Sequence, residues 1–225
     1  ETLRPSCSGE PGRPIVFARC ENEEVVIVAG RLVRDWECVG DGLYAADCPV
    51  DLGEGLNQLV CDGELMVEAR TPNVPGYQDL IHTFGMHRVH ATISSDDSLQ
   101  LCDASAAPVT SEDVLYIGRH GGAWGTQTAM GTIDATGQMT FRKRTAKGYL
   151  SWWQGKGEGY WVGARAYLDA EQEWVLDREN AKLYFRPPGG ADPNAMRVYV
   201  KDRAFAIDLK ARKHIAIDGV TTLMG

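Results

Sequence analysis

Short stretches of alternating apolar and polar residues, separated by Gly, Asp and Asn, constrain the fold of this chain more than any other feature. Such stretches occupy residues 14–19, 24–29 and 42–48. An alternation with a period of two is typical of strands that bury one face. The 25 glycines and 10 prolines among 225 residues indicate frequent turns. The sequence therefore predicts an all-β class, with helical turns limited to Ser111–Leu115 and Asp79–Phe84.

Two hairpins are indicated by their turn residues. In Asn57–Ala69, the pair Asp62 and Gly63 separates two apolar runs, which predicts a tight type I′ turn. In Trp174–Phe185, two apolar runs flank the polar loop Asp177–Ala181, which has the length of a hairpin loop. Both segments are therefore predicted to be antiparallel pairs.

The charge balance and hydropathy exclude several classes of partner. Acidic residues number 31 against 23 basic ones, and the net charge of −8 disfavours nucleic acid. The same charge favours neutral over acidic glycans unless Arg and Lys gather locally. The longest clean apolar run, residues 25–30, is far shorter than a membrane span, so no membrane partner is expected. No signal peptide is visible at the start of the chain.

The cysteines crowd into the first half of the chain without a CxxC pair, at Cys7, Cys20, Cys38, Cys48, Cys61 and Cys102. We expect most of them to be buried as small apolar groups. One or two disulfides stay open as an alternative if the protein is exported.

Short strands separated by short polar turns recur near both ends of the chain. They are predicted at 15–19 and 25–29, and again at Arg197–Val200, Ala204–Leu209 and His214–Asp218. A repeated strand and turn is typical of a coiled β-solenoid, whose inward side chains stack from rung to rung. A single rung cannot bury its inner face, so these strands need neighbours.

Several phrases of the sequence resemble one family, the bacterial right-handed parallel β-helix proteins that act on carbohydrates. The similar phrases lie at residues 8–17, 57–63, 68–73, 122–127, 174–193 and 214–221. The match is to the N-terminal part of such proteins and spans nearly the whole chain. It includes both predicted hairpins and the phrase HIAIDGVT near the C-terminus.

The resemblance implies a specific architecture. It is all-β, with a β-sandwich-like insertion domain at residues 31–192 between incomplete right-handed parallel β-helix rungs at 1–30 and 193–225. In the family, catalytic carboxylates generally lie on later coils, and this chain stops at Gly225. We therefore expect the N-terminal, non-catalytic portion of a carbohydrate-active β-helix enzyme, inactive alone, with a glycoside hydrolase favoured over a polysaccharide lyase.

The expected partner is a polysaccharide or oligosaccharide, to which this portion contributes scaffold and a glycan-binding wall. Self-association through an exposed β-helix edge is a further expectation, and no cofactor is predicted. An extracellular or periplasmic location is expected for the parent protein. The alternative function is a stand-alone carbohydrate-binding or structural capping module.

The candidate carbohydrate-binding residues are mostly aromatic. Flat rings can stack on a sugar while polar neighbours bind its hydroxyls. Arg70 could bind a sugar carboxylate through two hydrogen bonds, although an internal salt bridge is the favoured role, and packing in a core remains open for the rings. The predicted set is Trp152, Trp153, Tyr160, Trp161, Arg70 and His120.

Two other groups of residues give weaker indications of a catalytic or metal-binding site. Asp177 and Glu179 are the nearest carboxylate pair to what glycoside hydrolysis uses, but turn hydrogen bonds are their favoured role. His82, His87 and His90 could suggest a small metalloenzyme, yet their spacing matches no strong metal signature. No metal site is predicted.

Overall fold

The computed structural model describes residues 1–53, 55–73, 89–95, 98–101, 110–119, 127–144 and 157–225. Their regular structure consists of strands and short 3-10 turns, so the all-β prediction is confirmed. The 3-10 turns span Arg165–Tyr167, Pro188–Gly190 and Pro193–Ala195. Among these residues, no helix has the length and apolar character needed to cross a membrane.

The chain forms two compact units. Unit 1 comprises Glu1–Met66, Arg178–Leu183 and Gly190–Gly225, and unit 2 comprises Val67–Asp177 and Tyr184–Gly189. The two units are distinguished by the contacts that their residues make within each unit. The boundaries predicted for the solenoid and its insertion remain a prediction.

The strands of unit 1 are short and come from both ends of the chain. They are β1 (Ile15–Ala18), β2 (Val25–Val28), β3 (Gly30–Leu32), β4 (Glu37–Gly40), β5 (Leu43–Asp47), β6 (Leu59–Cys61), β7 (Glu64–Leu65), β18 (Val198–Lys201), β19 (Ile215–Asp218) and β20 (Val220–Leu223). Strands β3, β18, β6 and β7 form an antiparallel sheet in that order. Strands β4 and β5 form an antiparallel hairpin.

The terminal strands of unit 1 pair in parallel. Strand β1 pairs with β19, with Ile15 opposite Ile215, and β2 pairs with β20, with Val25 opposite Val220. Beside them, Ala29, Val60, Ala206 and Met224 form a buried cluster, onto which Ile27, Val28, Tyr199, Ile207 and Leu223 pack. Each parallel pair therefore joins a strand from the start of the chain to one from its end.

The strand predicted over Ala204–Leu209 is wrong, because only an isolated parallel bridge between Leu3 and Ile207 forms there. The Asp208 carboxylate accepts the Lys210 N–H at 3.0 Å and turns the chain. The pairing with the N-terminal segment therefore stops after one bridge.

The hairpin of unit 1 confirms the predicted tight turn. Val60 lies opposite Leu65 and Cys61 opposite Glu64, with Asp62 and Gly63 between them. Both turn residues have positive φ, 48° and 92°, as a type I′ turn requires. The local turn chemistry therefore sets the register of this pair.

Replacement of Gly63 by alanine is expected to lower the free energy of unfolding by about 1 to 2 kcal/mol, because a Cβ is strained at positive φ. Gly63→Asn should cost less, since asparagine adopts this conformation more readily. Urea denaturation of the three proteins tests this. An unchanged midpoint in Gly63→Ala would contradict the turn assignment.

Unit 2 contains the longer strands. They are β8 (Val67–Glu68), β9 (Arg70–Thr71), β10 (Val89–Ser95), β11 (Ser98–Leu101), β12 (Thr110–Arg119), β13 (Gln127–Ile133), β14 (Gln138–Arg144), β15 (Gly157–Val162) and β16 (Glu173–Asp177). The antiparallel order is β10-β11-β14-β13-β12-β15-β9, and β10 also pairs with β15. Strand β8 pairs in parallel with β16.

The helical turn predicted over Ser111–Leu115 is wrong, because these residues lie within β12. Val114 pairs with Gly131 of β13, and Leu115 pairs with both Met130 and Val162 of β15. Hydrogen bonding to strands on both sides outweighs the local helical preference. The other predicted helical turn, Asp79–Phe84, lies outside the described residues.

Strand β17 (Lys182–Phe185) follows β16 after the predicted polar loop, as the hairpin pattern indicated. Within unit 2, the Gln172 N–H donates to the Arg186 carbonyl at 2.7 Å, and the Arg186 N–H to the Glu173 carbonyl at 2.9 Å. Within unit 1, Arg178 of the loop forms an ion pair with Asp51 at 2.9 Å. The polar loop residues thus serve turn and surface contacts.

The expectation that most cysteines are buried is wrong for the described residues. Cys7, Cys20 and Cys38 are exposed, whereas Cys48 and Cys61 are buried, and all five are free thiols. Burial raises the pKa of the Cys61 thiol to about 11, which disfavours the reactive thiolate. Cys102 lies outside the described residues.

Candidate functional site

The structure describes three of the six predicted carbohydrate-binding residues: Tyr160, Trp161 and Arg70. Trp152, Trp153 and His120 lie outside the described residues, as do His82 and His87 and the side chain of His90. Among the residues that are described, no group of three or more His, Cys, Asp or Glu side chains is arranged to hold a metal ion.

Trp161 lies in the core of unit 2. Its side chain is fully buried, and its ring lies 5.2 Å from the Tyr116 ring at 49°. The indole N–H donates to the Met139 sulfur at 3.3 Å. A Cβ at Gly159 would collide with the Tyr116 ring, so glycine is required there. The Trp161 ring therefore has no exposed face for a sugar.

Tyr160 points to the opposite face of β15, because side chains alternate along a strand. It is half-buried and lies opposite Ile117 of β12. On the same face, β9 places Arg70 opposite Val162, two residues from Tyr160. The structure therefore brings two of the predicted site residues together on the face that is turned away from Trp161.

Arg70 is buried to 8% exposure despite its charge. Burial lowers the pKa of its guanidinium, whereas its electrostatic interactions with Tyr160 and Glu173 raise it. A buried cation needs such partners, because otherwise the free-energy cost of desolvating the charge exceeds the stabilisation gained by burying the side chain. Arg70 is thus held in a polar environment within unit 2.

Glu173, at the start of β16, is the central carboxylate of this environment and was not among the predicted site residues. It is 3% exposed, and its carboxylate accepts the N–H groups of Asp169 at 3.2 Å and Ala170 at 3.1 Å. The backbone N–H of Arg70 also donates to it. Its position in the buried strand EWVL was the available signal, because an acidic residue there has to find partners.

Burial raises the pKa of Glu173 to about 7, and the nearby charge of Asp169 acts in the same direction. The three backbone N–H donors oppose the shift, because they stabilise the carboxylate. Arg70, Tyr160, Asp169 and Glu173 are called the Glu173 cluster below. The carboxyl group of Glu173 titrates near neutral pH. Its hydrogen bonds to the N–H groups of Asp169 and Ala170 hold the loop that precedes β16.

Further polar contacts lie in unit 2, at Asp169 and at the 3-10 turn Arg165–Tyr167 that precedes it. Asn73 donates its amide to the Asp169 carboxylate at 2.7 Å. Arg165 lies over the Tyr184 ring at 3.9 Å and donates to its hydroxyl at 3.1 Å. The Arg165 N–H is accepted by Glu112. Asn73 and Arg165 are exposed and can bind sugar hydroxyls, whereas the Tyr184 ring is buried.

An open, mainly apolar cleft of about 490 Å³ also lies in unit 2, on β12, β13 and β14. Thr132 of β13 and Thr140 of the neighbouring strand β14 lie opposite each other there, and both are exposed. The Asp134 carboxylate is already used by Thr136 and Gln138, and these hydrogen bonds lower its pKa. The cleft therefore presents hydroxyl groups and no reactive carboxyl group.

The fold is similar to that of a solved structure named glycoside hydrolase. The TM-score is 0.70 at 20% sequence identity, and the match covers 98% of this chain and 40% of that protein. The chain thus spans about 40% of the length of the structure that it matches. No protein-family model matches this chain, and no curated protein matches its sequence. At this identity the comparison shows the fold alone.

Proposed function

We propose that this chain contributes the scaffold and a glycan-binding wall of a carbohydrate-active protein. The similarity of fold to a glycoside hydrolase over 98% of the chain carries this proposal. It also favours hydrolysis over elimination as the reaction of the parent protein. The ligand is a polysaccharide or oligosaccharide.

The chain is proposed to be the N-terminal, non-catalytic portion of such an enzyme. The parallel pairs β1–β19 and β2–β20 are what stacked β-helix rungs would form, and they support this assignment. The half-buried side chains of Ile15, Phe17 and Ile215 would be covered by a further rung. The edge strands could equally pair with a second copy, which sedimentation at several concentrations would detect.

The glycan-binding wall is assigned to the predicted pair Trp152 and Trp153 together with Tyr160. The half-buried Tyr160, which lies on the same face of the sheet as Arg70, supports this, because aromatic rings next to polar groups are typical of sugar sites. Trp161 is omitted because its ring is fully buried.

Titration with neutral oligosaccharides is expected to change the tryptophan fluorescence of the intact chain. The Trp152→Ala/Trp153→Ala variant should lose the response, and Tyr160→Ala should weaken binding about tenfold. Trp36→Phe is the matched control, because Trp36 lies in unit 1 and is 5% exposed. Absence of a response to any glycan would overturn the proposed wall, and turnover of glycans by this chain alone would overturn the non-catalytic assignment.

A further inference from the structure

Cationic side chains concentrate on one turn of unit 1. Residues 209–214, LKARKH, carry Lys210, Arg212 and Lys213, and all three are exposed. The whole chain has a net charge of −8, so this local excess of positive charge is opposite in sign to the rest of the molecule. Basic runs of this length are typical of surfaces that bind polyanions.

The N-terminal segment adds two arginines next to this turn. The Gly9 N–H donates to the Lys213 carbonyl at 3.1 Å, and the Ile15 N–H donates to the His214 carbonyl at 3.0 Å. These bonds place Arg4 and Arg13 on segments bonded to the turn. The five cations, called the basic turn below, are Arg4, Arg13, Lys210, Arg212 and Lys213.

Two carboxylates neutralise part of this charge. Asp208 accepts Arg4 at 3.3 Å, and Glu10 lies 3.7 Å from Arg13. Arg212 donates to the Pro5 carbonyl at 2.8 Å, which leaves its charge uncompensated. Lys210 and Lys213 form no close ion pair with a residue of the described ranges, although the charge of Lys210 contributes to lowering the pKa of Asp208. The basic turn therefore has five cationic side chains, and two carboxylates, Asp208 and Glu10, form ion pairs with them.

The backbone of the basic turn is held in place before any ligand arrives. The Arg212 N–H donates to the Leu209 carbonyl at 2.9 Å, and the Lys213 N–H to the Ser8 hydroxyl at 3.1 Å. Ala211 and His214 have positive φ, 62° and 54°. A preformed backbone lowers the entropy that binding has to overcome.

We propose that the basic turn binds an anionic polysaccharide through its carboxylate or sulfate groups. Exposed lysines attract such groups over about a Debye length, and the salt dependence follows from screening. Duplex nucleic acid fits less well, because its binding proteins neutralise roughly 6 to 10 phosphates over a broad basic surface. The inference stands independently of the neutral-glycan wall in unit 2, and either can fail without the other.

Binding of the full chain to heparin, polygalacturonate and neutral dextran is measured by isothermal titration calorimetry at low and high salt. We expect binding to at least one of the two anionic polymers, weakening as salt rises, and no binding to dextran at this site. Lys210→Gln/Lys213→Gln should raise the dissociation constant about tenfold or more, because two charge-assisted contacts are lost. Polygalacturonate binding identifies carboxylate as the recognised group, and binding to heparin alone identifies sulfate.

The matched control is Arg197→Gln/Lys201→Gln, which removes the same charge from another part of unit 1. Its dissociation constant should stay close to that of the unmodified chain. Equal weakening in the two variants would overturn the proposal, because it would then report net charge alone. So would a duplex DNA that binds as tightly as heparin, or absence of binding to both anionic polymers at low salt.

Discussion

Replacement of Trp161 by alanine is expected to lower the free energy of unfolding by about 3 to 5 kcal/mol, the largest effect of any single substitution proposed for this chain. The ring is fully buried, contacts Tyr116 and donates to the Met139 sulfur, so its loss leaves a cavity and removes one contact from each of these neighbours. Urea unfolding followed by far-UV circular dichroism measures the change without relying on tryptophan emission.

Trp161→Phe is the control, because it keeps an aromatic ring against Tyr116 and removes only part of the volume. It should cost about 1 to 2 kcal/mol. A loss below about 1 kcal/mol in the alanine variant would contradict the position of Trp161 in the core. The hydrophobic core of unit 2 would then have to lie on the Tyr160 face of β15.

The stability of the protein should fall as the pH rises from about 4.5 to about 7, because the folded state raises the pKa of Glu173 from 4.5 to about 7. In this window the unfolded chain has lost the Glu173 proton and the folded chain still holds it. The full contribution of Glu173 is therefore present below pH 4.5 and is lost above the folded pKa. The difference amounts to about 3 kcal/mol.

Glu173→Gln is expected to flatten this dependence, because glutamine stays neutral and its carbonyl can still accept the N–H groups of Asp169 and Ala170. At pH 8 the variant should be the more stable protein, and below pH 4.5 the two should agree. Chemical denaturation across this pH range makes the measurement. Glu171→Gln, at an exposed neighbouring carboxylate, should keep the original profile; an unchanged slope in Glu173→Gln would refute the assignment.

The local elements of the fold were predictable because their causes are local. Asp62 and Gly63 adopt positive φ between two apolar runs, and both the turn and its register follow. Strands β1 and β19 follow in the same way, since alternation of apolar residues is a property of a few consecutive positions. Ser111–Leu115 was mispredicted because two neighbouring strands, distant in sequence, pair with it.

The candidate site was predictable only in part. Arg70 and Tyr160 were selected from their residue types, and β9 and β15 bring them to one face. Glu173 was missed because its role depends on burial beneath a loop and on the N–H groups of Asp169, Ala170 and Arg70. The pattern of β16 offers only an acidic residue at the start of an apolar run, and the partners that make it a site residue come from other parts of the sequence.

The sequence by itself determined the all-β class, the tight hairpin turn and the short strands, because turn chemistry and period-two alternation act between near neighbours. Only the tertiary structure decided that β1 pairs in parallel with β19, from opposite ends of the chain. It also decided that Trp161 faces the core and Tyr160 faces away, and that the basic turn gathers Arg4 and Arg13. These features depend on contacts between residues far apart in sequence, which local propensities do not specify.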